Sequence, residues 1–165
     1  VDLSGRTLWE TEIARSSAQM GGGFVMPTAL FEVNGSLVLT YAAMAYDSGY
    51  SGKNYAVKLD PADGAVKGSF SLSDTGLLAA SPGPDGFYVA GYVRESLANP
   101  LQGEQDPYIA YFRLDGTRVY SSPLPQNISL GLEETTLALG KVAAWDPEGV
   151  YLISPKDGMV YRMAP

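Results

Sequence analysis

Hydrophobic and polar residues alternate along most of the chain, in short runs that Gly, Asp, Asn or Pro interrupts. Alternation with a period of two places successive side chains on opposite faces of a β-strand. No segment shows a sustained 3.6-residue period, so nothing longer than one helical turn, within 132–140, is expected. The pattern therefore predicts an all-β protein built of many short antiparallel strands.

Three strand pairs are predicted from tight turns that lie between alternating apolar runs. The turns are at Asn34-Gly35, Asp85-Gly86 and Glu148-Gly149. Asn-Gly and Asp-Gly suit a type I′ hairpin turn, because both central residues of that turn need a positive φ. Each hairpin supplies the first two strands of a predicted four-stranded unit.

A second feature recurs at Asp60 and Asp115. At both positions a predicted strand ends in Asp, and a turn that contains Gly follows. A third instance is split between the two ends of the chain, with its Asp at position 2. The intervals are 58 and 55 residues, and the interval counted through the termini is 52. The repeat therefore continues across the ends of the chain.

Four antiparallel strands in about 50 residues is the signature of a β-propeller blade. The sequence predicts three such blades, at about 27–72, 77–124 and 141–165, the last completed by a strand at 6–13. A β-sandwich of about twelve strands is the alternative, but sandwiches do not usually repeat every four strands with the same turn chemistry.

Three blades are too few to close a ring, which usually takes four to eight. The chain is therefore expected to be half of a six-bladed ring made by two copies, or a fragment of a larger propeller. The expected partner is another copy of the chain or a complementary propeller fragment. An open array of blades is a third possibility.

The amino-acid composition limits the kinds of catalytic and binding site that the chain can form. The chain has no Cys and no His, which excludes disulfides, thiolate metal sites, Cys nucleophiles and the commonest general base. The net charge of −7 argues against nucleic acid as a partner, and no apolar run is long enough for membrane insertion. No cofactor is expected.

The segment VDLSGRTLWE resembles the strand–turn–strand of pyrroloquinoline-quinone-like propeller repeats. The segments PDGFYVAGYV and DPYIAYFRLDGTRVY resemble bacterial secreted-propeller repeats. The resemblance implies a propeller fold and an extracellular, periplasmic or cell-surface location. The first repeat keeps the Trp of that pattern (Trp9), whereas the others have Phe70 and Tyr120, and vicinal cysteines are absent. Quinone use is therefore not implied.

Long connections are predicted at one end of the blades and tight turns at the other. Binding residues usually lie in such long connections, which run through 14–24, 46–54, 94–107 and 126–140. Acidic, basic, aromatic and amide side chains there suit sugar or peptide recognition. The candidate ligand-binding residues are Arg15, Asp47, Tyr50, Lys53, Asn54, Arg94, Glu95 and Asp106.

Catalytic and metal sites are not predicted. The surroundings of Asp47 lack the closely spaced carboxylates of a Ca²⁺ loop. The favoured hypothesis is a non-enzymatic binding or assembly module that recognises a protein or glycan. The alternative is a subunit or fragment of a propeller enzyme, either a quinoprotein-like dehydrogenase or a carboxylate-dependent hydrolase or lyase. Such an enzyme would need two carboxylates with separated pKa values facing one cavity.

Overall fold

The structure is a computed structural model. It describes residues 4–13, 24–45, 51–72, 75–94, 105–124, 141–146, 149–153 and 159–163. The described residues contain no helix, and therefore none that could span a membrane. The predicted helical turn in 132–140 lies outside the described residues.

Within these residues, eleven antiparallel strands form three sheets, which confirms the all-β prediction. The first sheet has the strand order β1-β2-β3-β4: Phe24–Val33, Ser36–Ala45, Ser51–Leu59 and Val66–Ser71. The second has the order β5-β6-β7-β8: Thr75–Pro82, Gly86–Arg94, Gln105–Arg113 and Arg118–Pro123. The third has the order β9-β10-β11: Lys141–Asp146, Gly149–Ile153 and Val160–Met163.

The hairpin of the first sheet turns where the sequence predicts. Asn34 and Gly35 both have positive φ, 49° and 74°, as a type I′ turn requires. The Glu32 carboxylate also accepts a hydrogen bond from the Gly35 N–H at 2.6 Å. The type I′ turn predicted at Asp85-Gly86 is wrong, because neither residue has positive φ and Gly86 is already the first residue of β6. That turn is closed instead by a hydrogen bond from the Gly83 N–H to the Gly86 carbonyl at 2.9 Å.

The turns between the third and fourth strands of the first and second sheets share the same hydrogen bond and the same glycine conformation. Asp60 and Asp115 each accept a hydrogen bond from the backbone N–H two residues later, at 2.9 and 2.8 Å. Gly64 and Gly116 follow with φ of 72° and 88°. A side-chain acceptor at the start and a glycine in the left-handed region together explain why both turns contain Asp and Gly.

A third glycine, Gly5, has φ of 85° in the described N-terminal stretch. Each of the three glycines is followed eight residues later by a large aliphatic residue that joins an apolar cluster. Those residues are Ile13, Leu72 and Leu124. The N-terminal stretch therefore repeats the backbone turn and the side-chain spacing that lead into β4 and β8.

The first and second sheets pack face to face. Val38 and Ala56 of the first sheet share a core cluster with Phe87 and Val89 of the second, and none of the four is more than marginally exposed. The Phe87 ring lies 5.8 Å, centroid to centroid, from that of Phe112. Full burial of a Phe side chain contributes about 1.5–3 kcal/mol, so this layer is a main source of stability.

The opposite face of the second sheet packs against the third. Tyr88, Ile109 and Leu124 cluster there with the fully buried Leu152, and Met163 packs against them. Because successive side chains of a strand point to opposite faces, Phe87 packs toward the first sheet and its neighbour Tyr88 packs toward the third. The sheets therefore stack in the order first, second, third.

The remaining face of the first sheet carries a third cluster, formed by Tyr41, Val57 and Leu59 with Ile13 packed against it. The segment that contains Ile13, residues 6–13, is called the N-terminal segment. It is not part of any described strand, so the fourth strand predicted at 6–13 for the third unit is absent from the part of the chain that the structure describes. Pairing of this segment with 160–163 stays a prediction.

The first strands of the three sheets lie next to one another. Strand β1 contacts β5, and β5 contacts β9. In the first and second sheets, each following strand lies farther from these first strands, and β4 and β8 form the opposite edges. Each sheet thus has an inner and an outer edge, and the inner edges of consecutive sheets meet.

Candidate functional site

Successive antiparallel strands reverse direction, so the connections alternate between the two ends of each sheet. One end carries tight turns, such as 60–65 and 114–117, and is called the turn end. The other end is called the connector end. It carries the connections at 46–50, 95–104 and 125–140, which lie outside the described residues.

Lys53 and Asn54 lie at the connector end, in β3. The sequence placed them in a loop, and that placement is wrong because both pair with β2, opposite Ala43 and Ala42. Lys53 is exposed, whereas Asn54 is only 3% exposed. The Asn54 carbonyl accepts a hydrogen bond from the Leu72 N–H at 2.7 Å. Asn54 therefore holds the sheet together, and Lys53 is the residue available to a ligand.

Arg94 and Asp106 were also placed in a loop and instead lie in strands. Arg94 ends β6, and Asp106 lies in β7 opposite Val93. The pairing brings the two backbones to neighbouring positions at the connector end. The other candidate residues lie outside the described residues; they are Arg15, Asp47, Tyr50 and Glu95.

Among the described residues, the carboxyl groups whose pKa is altered, Asp60 and Asp115, lie at the turn end. The pKa of Asp115 is lowered mainly by the hydrogen bond that its carboxylate accepts from the Thr117 N–H. The pKa of Asp60 is lowered by the Ala62 N–H and by Lys67, whose ammonium lies 3.2 Å from the carboxylate. Both carboxylates serve as acceptors within their own turns.

Three tyrosines between the second and third sheets form a cluster that the sequence only partly indicated. The ring of Tyr111 lies 4.7 Å from that of Tyr88 and 6.2 Å from that of Tyr120. The Tyr111 hydroxyl donates a hydrogen bond to the Asp85 carboxylate and accepts one from the Asp85 N–H. Alternation along β6 and β7 puts Tyr88 and Tyr111 opposite each other on one face of the second sheet, but nothing local in the sequence links Tyr111 to Asp85.

Burial raises the pKa of Tyr111 and of Tyr120 to about 12. The hydrogen bond to Asp85 adds to the effect at Tyr111, and the proximity of Tyr88 adds to it at Tyr120. Both phenols are therefore neutral at physiological pH. Neutral, packed phenols stabilise the layer between the sheets and do not act as bases.

The N-terminal segment is fixed to the turn end of the first sheet. The Trp9 indole N–H donates to the Pro61 carbonyl at 3.0 Å, and the Thr11 hydroxyl donates to the Gly64 carbonyl at 2.7 Å. A side chain at Gly64 would collide with both Trp9 and Thr11. Glycine at this position is required for the close approach as well as for the turn.

Metal binding needs several ligands at one point. Within the described ranges, no three acidic side chains come together in a way that could hold a metal ion. No family model, no curated protein and no solved structure matches the chain, so the resemblance to propeller repeats stays a prediction.

Proposed function

We propose that the chain is a non-enzymatic binding and assembly module. Its three sheets are consecutive blades of a β-propeller, and its connector end recognises a protein or a glycan. The observation that carries this proposal is the separation of the two kinds of connection. Tight turns that contain Asp, Asn and Gly lie at one end of the first and second sheets, and connections of varied length lie at the other.

The packing supports the propeller part of the proposal. Consecutive sheets stack face to face, and their first strands β1, β5 and β9 lie side by side along one inner edge. The turn glycines pack against the preceding outer strand: a side chain at Gly116 would meet the Phe70 ring. Such contacts are the ones expected of consecutive sheets arranged radially around an axis, and they therefore support the proposal.

The connector end is the better candidate for recognition because the turn end uses its polar groups internally. Asp60 and Asp115 are hydrogen-bonded inside their turns. At the connector end, Lys53 is exposed, and Arg94 and Asp106 lie on paired strands. A cation beside variable connections suits an acidic peptide or an acidic glycan.

The enzyme alternative has no specific observation in its favour among the described residues. The carboxylates with lowered pKa, Asp60 and Asp115, are occupied by turn hydrogen bonds rather than paired across a cavity. Tyr111 and Tyr120, whose pKa is raised, are packed between the second and third sheets.

The proposal is tested with a glycan array and a phage-displayed peptide library as probes. Lys53→Glu should weaken any selected ligand by at least about tenfold, or 1.4 kcal/mol, because it reverses the exposed charge at the connector end. Arg118→Glu is the matched control, since Arg118 is exposed and begins β8 at the turn end. A ligand that responds to Arg118→Glu and not to Lys53→Glu would contradict the proposed face.

A further inference from the structure

We propose that Asn34 is a site of spontaneous covalent modification. Its side-chain amide is lost through a cyclic imide formed with the Gly35 nitrogen, and the carboxylate of Glu32 slows that reaction. The site is the hairpin turn between β1 and β2, at the turn end of the first sheet. The inference goes beyond the proposed function and does not depend on the sheets being propeller blades.

The sequence around Asn34 favours this reaction more than the sequence around the other asparagines does. Of the four asparagines, Asn34 alone precedes a glycine, which has no Cβ to obstruct attack by the backbone nitrogen. Asn99 precedes a proline, whose nitrogen has no hydrogen to lose. Asn127 precedes the β-branched Ile128, whose side chain crowds the same nitrogen. Asn34 is therefore the residue expected to react first.

The structure separates Asn34 from the fourth asparagine, Asn54. Asn54 is 3% exposed, its backbone pairs with Ala42, and its carbonyl accepts a hydrogen bond from the Leu72 N–H. Imide formation there would have to rotate a peptide unit that the adjacent chain segments hold on both sides. Asn34 and Gly35 are both exposed, so water reaches them and ammonia can leave.

The reaction exchanges one bond for another in each of two steps. In the first step, the Gly35 nitrogen loses its proton and bonds to Cγ of Asn34, while the bond from Cγ to the side-chain nitrogen breaks. The side-chain nitrogen takes up a proton and leaves as ammonia. In the second step, water opens the imide. Cleavage at Cγ gives aspartate, and cleavage at the main-chain carbonyl gives isoaspartate, whose backbone runs through the side chain.

The conformation of the turn opposes the first step. Asn34 and Gly35 have φ of 49° and 74°, as a type I′ turn requires. In that turn the ψ of the first central residue is about +30°, which directs the next nitrogen away from the Cβ of the same residue. Ring closure needs that nitrogen to rotate toward Cβ, so the turn must open before Asn34 reacts.

Glu32 opposes the reaction at the atom that attacks. Its carboxylate accepts a hydrogen bond from the Gly35 N–H at 2.6 Å, and this hydrogen bond holds the turn closed. The reacting form of the nitrogen is its anion, which an adjacent negative charge disfavours. Because Glu32 is exposed, the charge effect is the small one of a unit charge in water, about a fivefold reduction in rate.

A carboxylate beside an N–H is also the arrangement of a general base, and base strength decides between the two roles. A carboxylate is a far weaker base than a backbone amide anion, so it cannot hold the proton that the Gly35 nitrogen must lose. Hydroxide from solvent removes that proton instead. Glu32 therefore restrains the reaction, and the rate should rise with pH.

The two products affect the hairpin differently. Asp-Gly suits a type I′ turn as Asn-Gly does, so the aspartate product keeps the turn. Isoaspartate adds a methylene group to the main chain of a loop that consists of Asn34 and Gly35 alone, so the loop no longer matches the twist of β1 and β2. The strain falls on the pair Val33↔Ser36, in which Val33 is 4% exposed. Either product makes the chain one unit more negative than its present net charge of −7.

The first experiment asks whether Asn34 is the site. The full chain is incubated at mildly alkaline pH, acidic forms are separated by ion exchange, and the modified residue is located by peptide mass spectrometry. The modification should be found first at Asn34. Asp-Gly pairs can form the same imide, but water returns them to the same mass and charge.

Asn34→Gly is the control for the site, because Gly-Gly also suits a type I′ turn and has no side-chain amide to lose. This variant should form almost none of the acidic species in the time that the wild type takes to convert. An acidic form that accumulates equally in Asn34→Gly, or that carries the modification at another asparagine, would overturn the proposal.

The second experiment tests the role of Glu32. Glu32→Gln keeps a hydrogen-bond acceptor without the charge, and it should react about fivefold faster than the wild type. Glu32→Ala removes the acceptor as well and should react at least as fast as Glu32→Gln. Glu10→Gln is the matched control, because it makes the same change in net charge at an exposed residue outside the hairpin, and it should leave the rate unchanged.

Two results would overturn the role assigned to Glu32. A slower reaction in Glu32→Gln would identify Glu32 as a base, and an equal rate would show that it exerts no restraint. In concentrated urea the wild-type chain should react faster than the folded chain, and the Glu32 variants should become more alike, because the turn no longer holds the contact. A wild-type rate that is the same in both conditions would contradict restraint by the turn.

The third experiment compares the stability of the separated products. The isoaspartate form should unfold at a lower urea concentration than the wild type, whereas Asn34→Asp should unfold close to the wild type. Equal midpoints for the isoaspartate form and Asn34→Asp would contradict the assigned effect on the hairpin. None of these rates or midpoints involves a ligand, so their outcome is independent of the result for Lys53→Glu.

Discussion

Substitution of Gly116 tests the packing of one sheet on the outer strand of the one before it. Gly116 has φ of 88°, and a Cβ placed on it would lie 2.7 Å from Cγ of Phe70. Alanine in the left-handed region costs about 1–2 kcal/mol. Displacing a packed ring adds about 1–3 kcal/mol. Gly116→Ala should therefore lower the free energy of unfolding by about 2–5 kcal/mol.

Gly35 provides the matched control for this substitution. Its φ is 74°, but a Cβ there would meet no atom within 4 Å. Gly35→Ala should therefore show only the conformational cost, about 1–2 kcal/mol.

Urea denaturation followed by far-ultraviolet circular dichroism measures both losses, and an unchanged m-value confirms that the comparison is between like states. Adding Phe70→Ala to each glycine variant completes two double-mutant cycles. The cycle with Gly116→Ala should show coupling of about 1–3 kcal/mol, and the cycle with Gly35→Ala none above about 0.5 kcal/mol. Equal losses in the two glycine variants, or no coupling at Gly116, would refute the proposed contact.

Three further predictions concern the core and two sets of titrating groups. Phe87→Ala should lower the free energy of unfolding by about 3–5 kcal/mol, because Phe87 is fully buried. Leu30→Ala is the control, and since Leu30 is 63% exposed it should change this free energy by less than about 0.5 kcal/mol. Urea denaturation measures both changes. Tyr111 and Tyr120, whose pKa is raised to about 12, contribute stability that is complete below about pH 10 and is lost as pH rises toward 12. The part of the tyrosinate absorbance that Tyr111 and Tyr120 contribute should therefore appear only well above about pH 10, and a single transition near pH 10 for all tyrosines would contradict this. The pKa of Asp115 is lowered, so its contribution is complete above about pH 4 and is lost as pH falls further; Asp115→Asn, which keeps the acceptor without the charge, should flatten the acid limb of a stability–pH profile.

Turn positions could be predicted from the sequence because their requirements are local. Asn34 and Gly35 take positive φ, as Asn-Gly between apolar runs indicates. Asp60 and Asp115 lie in the predicted turns because a short carboxylate can accept a hydrogen bond from the backbone two residues later. Neither property depends on distant parts of the chain.

The start of β3 could not be predicted in the same way. Ser51 to Asn54 lack apolar alternation and resemble a loop, yet they pair with Ala42 to Ala45 at the end of β2. The partner strand determines the structure there, and its effect overrides local propensity. Lys53 and Asn54 were placed in a loop for this reason.

Contacts between residues far apart in the sequence could not be predicted from local pattern either. The hydrogen bonds between Tyr111 and Asp85 join residues 26 positions apart, and the one from Trp9 to Pro61 spans 52. The alternation in 6–13 predicted a strand that the described residues do not contain, because a strand also needs a neighbouring strand to pair with, and no described strand pairs with this segment.

The position of the second sheet between the other two has a consequence for how a fault in one strand would spread. Its two faces belong to different core clusters, with Phe87 in one and Tyr88 in the other. A slip of β6 by one residue would exchange these two side chains and disrupt both clusters at once. An error in the middle sheet therefore costs the contacts to both of its neighbours, whereas an error in the first or third sheet affects its packing on the second alone.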